Sequence, residues 1–296
     1  MITFKQFLNE DQFAHTEMEP DLFVKWCETN ASKYLPQIKK SPIFRGMPMS
    51  IKMGVFDTNS LNRESANTVN YYTIWMDNNP AWKDYPKRSK SYICSTNNDM
   101  AGGFGNVHLI IPADGSEIGI IAGDDLWYGF DYIDRMTGRS MDGFMSDVQD
   151  LIMAANKREH LSEYNMAHKN YAALCSCLKR VTFELIDDLN TETGKREEWK
   201  KYLQAFKTHG FRTLYDLFEN GMDPTKNGFS HVVSGSASFG GHDNEIWVQG
   251  KCAFLRFEGL LRRMAQNDAL EEFVKEYIPK QWYVKHDPKD YEESDE

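Results

Sequence analysis

The chain has 296 residues, 41% of them hydrophobic, and a net charge of −10 at pH 7. That length allows one large domain or two small ones. The chain has no apolar run of the length a membrane-spanning helix needs, and its acidic balance argues against broad nucleic-acid binding, which depends on clustered Lys and Arg.

Residues 1–13 lack the pattern of a secretory signal, so a cytosolic protein is expected. Within them Phe4, Phe7 and Leu8 share one face of an amphipathic segment. A helix is predicted from Pro20 to about Tyr34, because Pro suits a first turn and Leu22, Phe23, Trp26 and Cys27 share a face. A strand begins near Ile43, residues 62–78 read as helix, and residues 89–96 read as a strand that leads into a small-residue turn at 97–105. Residues 107–111 and 117–121 are strand-like and are joined by Pro112-Ala113-Asp114-Gly115, the strongest hairpin signal in the chain. From Met141 to about Asn220 the apolar spacing is helical. Cys175-Ser176-Cys177 lies in that block without a second pair nearby. Together with Cys27, Cys94 and Cys252 it reads as reduced structural thiols, with no zinc site expected. Strand character returns at 231–234. A Gly/Ser-rich loop, a strand at 245–248 and a helix at about 268–277 follow, and the charged tail 286–296 is expected to be disordered. The whole is an α+β pattern.

Three short apolar segments carry polar residues at one end: Ser41-Pro42-Ile43-Phe44-Arg45-Gly46, Ser91-Tyr92-Ile93-Cys94-Ser95-Thr96-Asn97, and Asp243-Asn244-Glu245-Ile246-Trp247-Val248-Gln249-Gly250. Arg45 reads either as an anion clamp, with Gly46 letting a ligand approach the backbone, or as a solvated strand-end Arg. Ser95 and Thr96 suit a ligand's amide and ribose, or a turn cap. Glu245 suits a sugar hydroxyl and developing positive charge on an anomeric carbon, or the protection of an edge strand. Asp243, two residues earlier, would project to the same face of a strand. The basic pairs Lys39-Lys40 and Lys87-Arg88 precede the first two segments, and either one could help hold an anion. The loop at Gly102–Gly105 fits neither a phosphate-binding loop of Walker type nor the dinucleotide fingerprint, and no histidine is singled out for a triad. In this order the three segments suggest a site for a pyrophosphate-bearing dinucleotide.

These segments resemble the Arg–Ser–Glu class of the ADP-ribosyltransferase superfamily: Ile43-Phe44-Arg45-Gly46, Cys94-Ser95-Thr96-Asn97 and Asp243-Asn244-Glu245 stand for its three motifs. The resemblance implies a split, mostly antiparallel β-sheet core with N-terminal helices and a large helical insertion. Its expected parts are a helical segment at 1–40, a transferase-like domain at 41–285 with the insertion at 141–220, and the acidic tail. It implies NAD as substrate, no metal, and transfer of ADP-ribose to a host protein with release of nicotinamide. Arg45 and Gly46 would hold the pyrophosphate side, Ser95 and Thr96 the nicotinamide-ribose pocket, and Glu245 the ribose 2′-hydroxyl. Residues 234–242 would form the substrate-recognition loop. Asp243 departs from the Glu or Gln of arginine-modifying members, which leaves the acceptor residue open.

Residues 1–10, with Leu8-Asn9-Glu10, resemble the cleavable targeting peptide of T4-type bacteriophage internal head proteins. That resemblance implies packaging in a phage head and action in the cytoplasm of a bacterial host. Two alternatives stand beside transfer: a non-catalytic phage internal or host-interacting binding protein, and an NAD glycohydrolase.

Overall fold

The computed structural model describes residues 16–48, 51–64, 69–121, 123, 125–158, 164–192, 197–236, 239 and 243–285. The chain divides into a unit built on a sheet (3–62, 85–124 and 230–296) and a helical unit whose main parts are 63–84 and 125–229. The N-terminal amphipathic segment, the charged tail, His242 and most of the Gly/Ser-rich loop lie outside the described residues.

In the sheet unit the strands are β1 (Thr16–Glu17), β2 (Phe44–Met47), β3 (Met53–Asp57), β4 (Tyr92–Ser95), β5 (Asn106–Pro112), β6 (Glu117–Ile120), β7 (Ser230–Val233), β8 (Glu245–Gln249) and β9 (Lys251–Arg256). Their order is β1-β3-β9-β5-β2-β4-β8-β6-β7, and every pairing is antiparallel. The weakest join is β2 to β4, a single pair, Phe44 with Ser95, whereas β2 meets β5 over its whole length from Phe44 to Met47. Phe56 on β3 nevertheless packs 4.3 Å from Tyr92 on β4, although β9, β5 and β2 separate them in strand order. The sheet therefore folds at this seam and encloses its own core. Phe254, Cys94, Cys252 and Tyr34 are all buried in that core. Full burial of a side chain as large as Phe254 contributes about 1.5–3 kcal/mol. The helix Pro20–Asn30 closes one side, with Phe23 6.0 Å from Phe273 of the helix Asp268–Tyr277. Residues 16–40 thus belong to the sheet unit rather than forming a separate N-terminal segment.

The expected hairpin at 107–121 is not formed. β5 pairs with β2 and β9, while β6 pairs with β7 and β8. The turn is present, but Asp114 is tied elsewhere: its carboxylate accepts from the Lys33 backbone at 3.1 Å and its own N–H donates to Asn30 at 2.6 Å. β8 and β9, separated only by Gly250, also diverge to different neighbours. Both links therefore carry the chain across the fold of the sheet, side by side, with Ala113 N–H donating to the Lys251 carbonyl at 2.8 Å.

The helical unit exceeds the expected insertion at 141–220. It also takes in Tyr71–Asn78, Leu126–Gly129 and Asp131–Thr137. The last two are too short to show a full apolar period, so they were not legible as helices. Met141–Arg158 buries Phe144, Val148, Leu151 and Ile152 along one face. Trp75 is enclosed by Tyr171, Tyr215 and Phe218, with centroids 5.7, 5.5 and 4.8 Å away. Buried Asp147 accepts from Arg139 Nε at 2.7 Å and from the Tyr202 hydroxyl at 2.8 Å, which satisfies it inside the core. None of the five cysteines in the chain forms a disulfide, and all but Cys175 are buried.

Candidate active site

Ser95 and Glu245 are cross-strand partners of β4 and β8, and on the other side of β4 Ser95 faces Phe44 of β2. Directly paired residues of an antiparallel sheet project to one face, so the hydroxyl and the carboxylate share a surface. Hydrogen bonds fix the start of β8. Asn244 N–H donates to Thr96 Oγ1 at 2.9 Å, Thr96 N–H donates to the Asn244 carbonyl at 3.0 Å, and the Asn244 side-chain amide donates to the Ile121 carbonyl. Glu245 N–H donates to the Gly123 carbonyl at 2.8 Å, and the Glu245 carbonyl accepts from Ile121 at 3.1 Å. Thr96 is therefore a strand-end clamp on Asn244. Ser95 Oγ accepts from Asn97 N–H at 3.0 Å, which leaves its O–H as a donor beside Glu245. Asn97 in turn caps the helix Asn98–Gly102.

A single 3₁₀ turn, Arg88–Lys90, places Arg88 against this pair. Its Nη2 lies 2.6 Å from Glu245 Oε1, and the two side chains are only 10% and 12% exposed. The guanidinium also sits 5.5 Å from the ring centroid of Trp247. The indole is held by its own N–H, which donates to the Pro86 carbonyl at 2.9 Å, and Lys87 N–H donates to Gln249 Oε1 at 2.7 Å. Gly119 of β6 makes room for the ring, since a Cβ there would lie 2.2 Å from the indole. Burying an ion pair costs desolvation that the attraction only partly returns, so the pair is weak evidence for stability. What it does is hold the Glu245 side chain in one orientation.

Arg45 is placed differently. In register it pairs with His108, and strand alternation turns it to the face opposite Ser95 and Glu245. There its guanidinium lies 4.5 Å from the Tyr92 ring centroid and its Nη1 donates to the Ile93 carbonyl of β4. Only 5% exposed, Arg45 bridges the seam where the β2–β4 ladder is shortest, rather than reaching Glu245. The space beside Gly46 is likewise filled by protein: a Cβ there would lie 2.0 Å from the Ala101 carbonyl oxygen. Its close backbone neighbour is thus the helix Asn98–Gly102. Asp243 is exposed, just ahead of β8. Of the six residues expected at the site, the structure brings Ser95, Thr96 and Glu245 together, places Asp243 at their edge, and turns Arg45 and Gly46 to packing contacts.

Arg88 was legible only as half of the basic pair Lys87-Arg88. What singles it out is its contact with Glu245 and Trp247, far along the chain. Two cavities of about 450 and 370 Å³ lie elsewhere in the sheet unit, one bordered by Lys39, Lys275, Lys280 and Tyr283, the other by Asp114, Glu117, Gln249 and Lys251. Among the described residues no group of three or more His, Cys, Asp or Glu is arranged to hold a metal, and no helix is long and apolar enough to cross a membrane. Comparison with family models, with curated proteins and with solved structures gives no match.

Proposed function

We propose that this chain is an NAD-dependent ADP-ribosyltransferase that modifies a host protein, with Glu245 as its catalytic carboxylate. The observation that carries the reading is the pairing of Ser95 with Glu245 on neighbouring central strands, beside a buried arginine. The second and third segments, far apart in sequence, converge on one surface, while the first turns its arginine to the other face. The single-pair seam between β2 and β4, across which the sheet folds on itself, supports a split core of ADP-ribosyltransferase type.

The chemistry follows from the carboxylate. Glu245 accepts a hydrogen bond from the 2′-hydroxyl of the nicotinamide ribose and faces the positive charge that develops as the C1′–N bond breaks. The bonding pair stays with the ring nitrogen, and neutral nicotinamide leaves. A nucleophile on the acceptor protein forms the new bond to C1′ and gives up its proton, for which exposed Asp243 is the nearest of the expected acidic residues in sequence. The Ser95 hydroxyl donates to the ribose or the amide. When water takes the acceptor's place, the same site hydrolyses NAD. The proposed setting, a phage head followed by a host cytoplasm, rests on the resemblance of residues 1–10 alone.

A second reading, a host-binding protein without catalysis, draws on Arg45, whose expected ligand contact is spent on Ile93 and Tyr92. One experiment separates the two. The folded protein is incubated with NAD labelled in its adenylate part and a bacterial lysate, and labelled protein and nicotinamide are both measured. Transfer gives both signals, hydrolysis gives nicotinamide alone, and neither signal leaves the binding reading.

A further inference from the structure

Arg88 uses only part of its donor fork. Nη2 meets Glu245, while Nη1 is buried with no hydrogen-bond partner, and the residue as a whole is 8% exposed. A guanidinium N–H kept from water without an acceptor is costly, so such a group in a folded protein asks for an explanation. Packing alone does not supply one, because the same arginine is tightly placed by the 3₁₀ turn, the Glu245 carboxylate and the Trp247 ring.

The identity of the missing acceptor follows from charge. Arg88 is already neutralised by Glu245 at 2.6 Å. A phosphate brought to Nη1 would sit near that carboxylate in a poorly solvated site, where like charges repel strongly. A neutral carbonyl oxygen accepts the same N–H without that penalty. Resting on the NAD reading above, we infer that Arg88 is the residue that reads the leaving group: Nη1 donates to the carboxamide oxygen of nicotinamide while Nη2 holds the Glu245 side chain aimed at the ribose. Arg88 then recognises an aryl amide rather than a pyrophosphate.

The test uses the full chain and three probes, nicotinamide, nicotinic acid and ADP-ribose, with calorimetric binding to the wild type and to Arg88→Lys. The wild type is expected to bind nicotinamide at least tenfold more tightly than nicotinic acid, whose carboxylate faces Glu245. In Arg88→Lys, which keeps the charge and loses the fork, nicotinamide affinity is expected to fall at least tenfold and ADP-ribose affinity by a smaller factor, since Arg88 also orients the Glu245 carboxylate that bonds the ribose. Equal wild-type affinity for nicotinamide and nicotinic acid overturns the inference without recourse to any variant. Loss of ADP-ribose together with nicotinamide, alongside a lowered melting temperature, shows that Arg88 only holds the fold and overturns it too. A wild type that binds ADP-ribose and NAD but does not discriminate the amide removes the role of Arg88 and keeps the NAD reading. A wild type that binds none of the probes and no NAD removes both.

Discussion

Two buried arginines flank β4, and they have opposite fates. Arg45 reaches the folded interior of the sheet, where the Ile93 carbonyl and the Tyr92 ring accept its charge. Arg88 reaches the other surface, where it meets a carboxylate and keeps an N–H unused. Their exposure is nearly the same, 5% and 8%. The difference lies in what each guanidinium touches. A backbone carbonyl at the seam and an aromatic face make a contact that stabilises one conformation, because β2 and β4 share only one ladder pair there. A carboxylate with an open donor beside it makes a contact that a ligand can complete. A motif match finds an arginine at a strand end, and only the register tells which kind it is.

Four substitutions or conditions bear on that contrast. The largest effect is expected at Glu245: Glu245→Gln should lower NAD turnover by about 10²–10³-fold, the range seen when a charge-stabilising group is removed. Gln can still accept from Arg88, so circular dichroism should show an unchanged fold, and full turnover in this variant would remove Glu245 from the chemistry.

Next is the Arg45 face. His108, its register partner, is buried, and burial pushes its pKa down from the ordinary value to about 4, with Arg256 and Arg263 adding to the effect against the backbone contacts to Asn106 and Ile51. Between about pH 6.5 and 4 the unfolded chain takes up a proton at this histidine that the folded chain does not. Stability from this group is therefore complete above the unfolded pKa and declines as pH falls towards 4, by about 3 kcal/mol over the window. Urea unfolding at pH 7 and pH 4.5 should show this slope, and His108→Gln should flatten it.

Arg45→Met should cost about 2–4 kcal/mol in stability, from the lost charged hydrogen bond and the lost aromatic contact. Once corrected for the folded fraction, nicotinamide affinity should be unchanged. A selective loss of ligand would return Arg45 to the site and erase the contrast. The smallest effect belongs to the helical unit. Thr213 and Asp216 form a capping box at the helix Leu214–Gly221. Thr213→Ala should lower stability by about 1 kcal/mol, read as a shift in the melting temperature.

Much of this arrangement could be read from the residues, and the misses have physical causes. The apolar runs at β2, β4, β5, β6, β7 and β8 and the helical periods of 141–220 are local signals, and they mark real elements. Strand partners are not local. Pro112-Ala113-Asp114-Gly115 promised a hairpin because its turn chemistry is sound, yet β5 and β6 part there, since Asp114 is held by Lys33 and Asn30. β9 leaves no periodic signal, because Cys252-Ala253-Phe254-Leu255 is a short continuous apolar run between charges, without alternation. Among the site residues, Ser95 and Glu245 could be proposed from their strand-end positions. The side on which Arg45 projects depends on its register with His108, and the contact of Arg88 with Glu245 depends on a turn that brings distant segments together. Neither leaves a mark in the local pattern.

The proposed organisation of an NAD site rests on Glu245 and Arg88 and not on Arg45. Its most direct test is NAD binding by calorimetry on four folded proteins in parallel: wild type, Glu245→Gln, Arg88→Lys and Arg45→Met. Arg45→Met is expected to keep wild-type affinity and Arg88→Lys to bind at least tenfold more weakly. Glu245→Gln should bind NAD without turning it over. Weaker binding in Arg45→Met with Arg88→Lys unaffected would contradict this organisation.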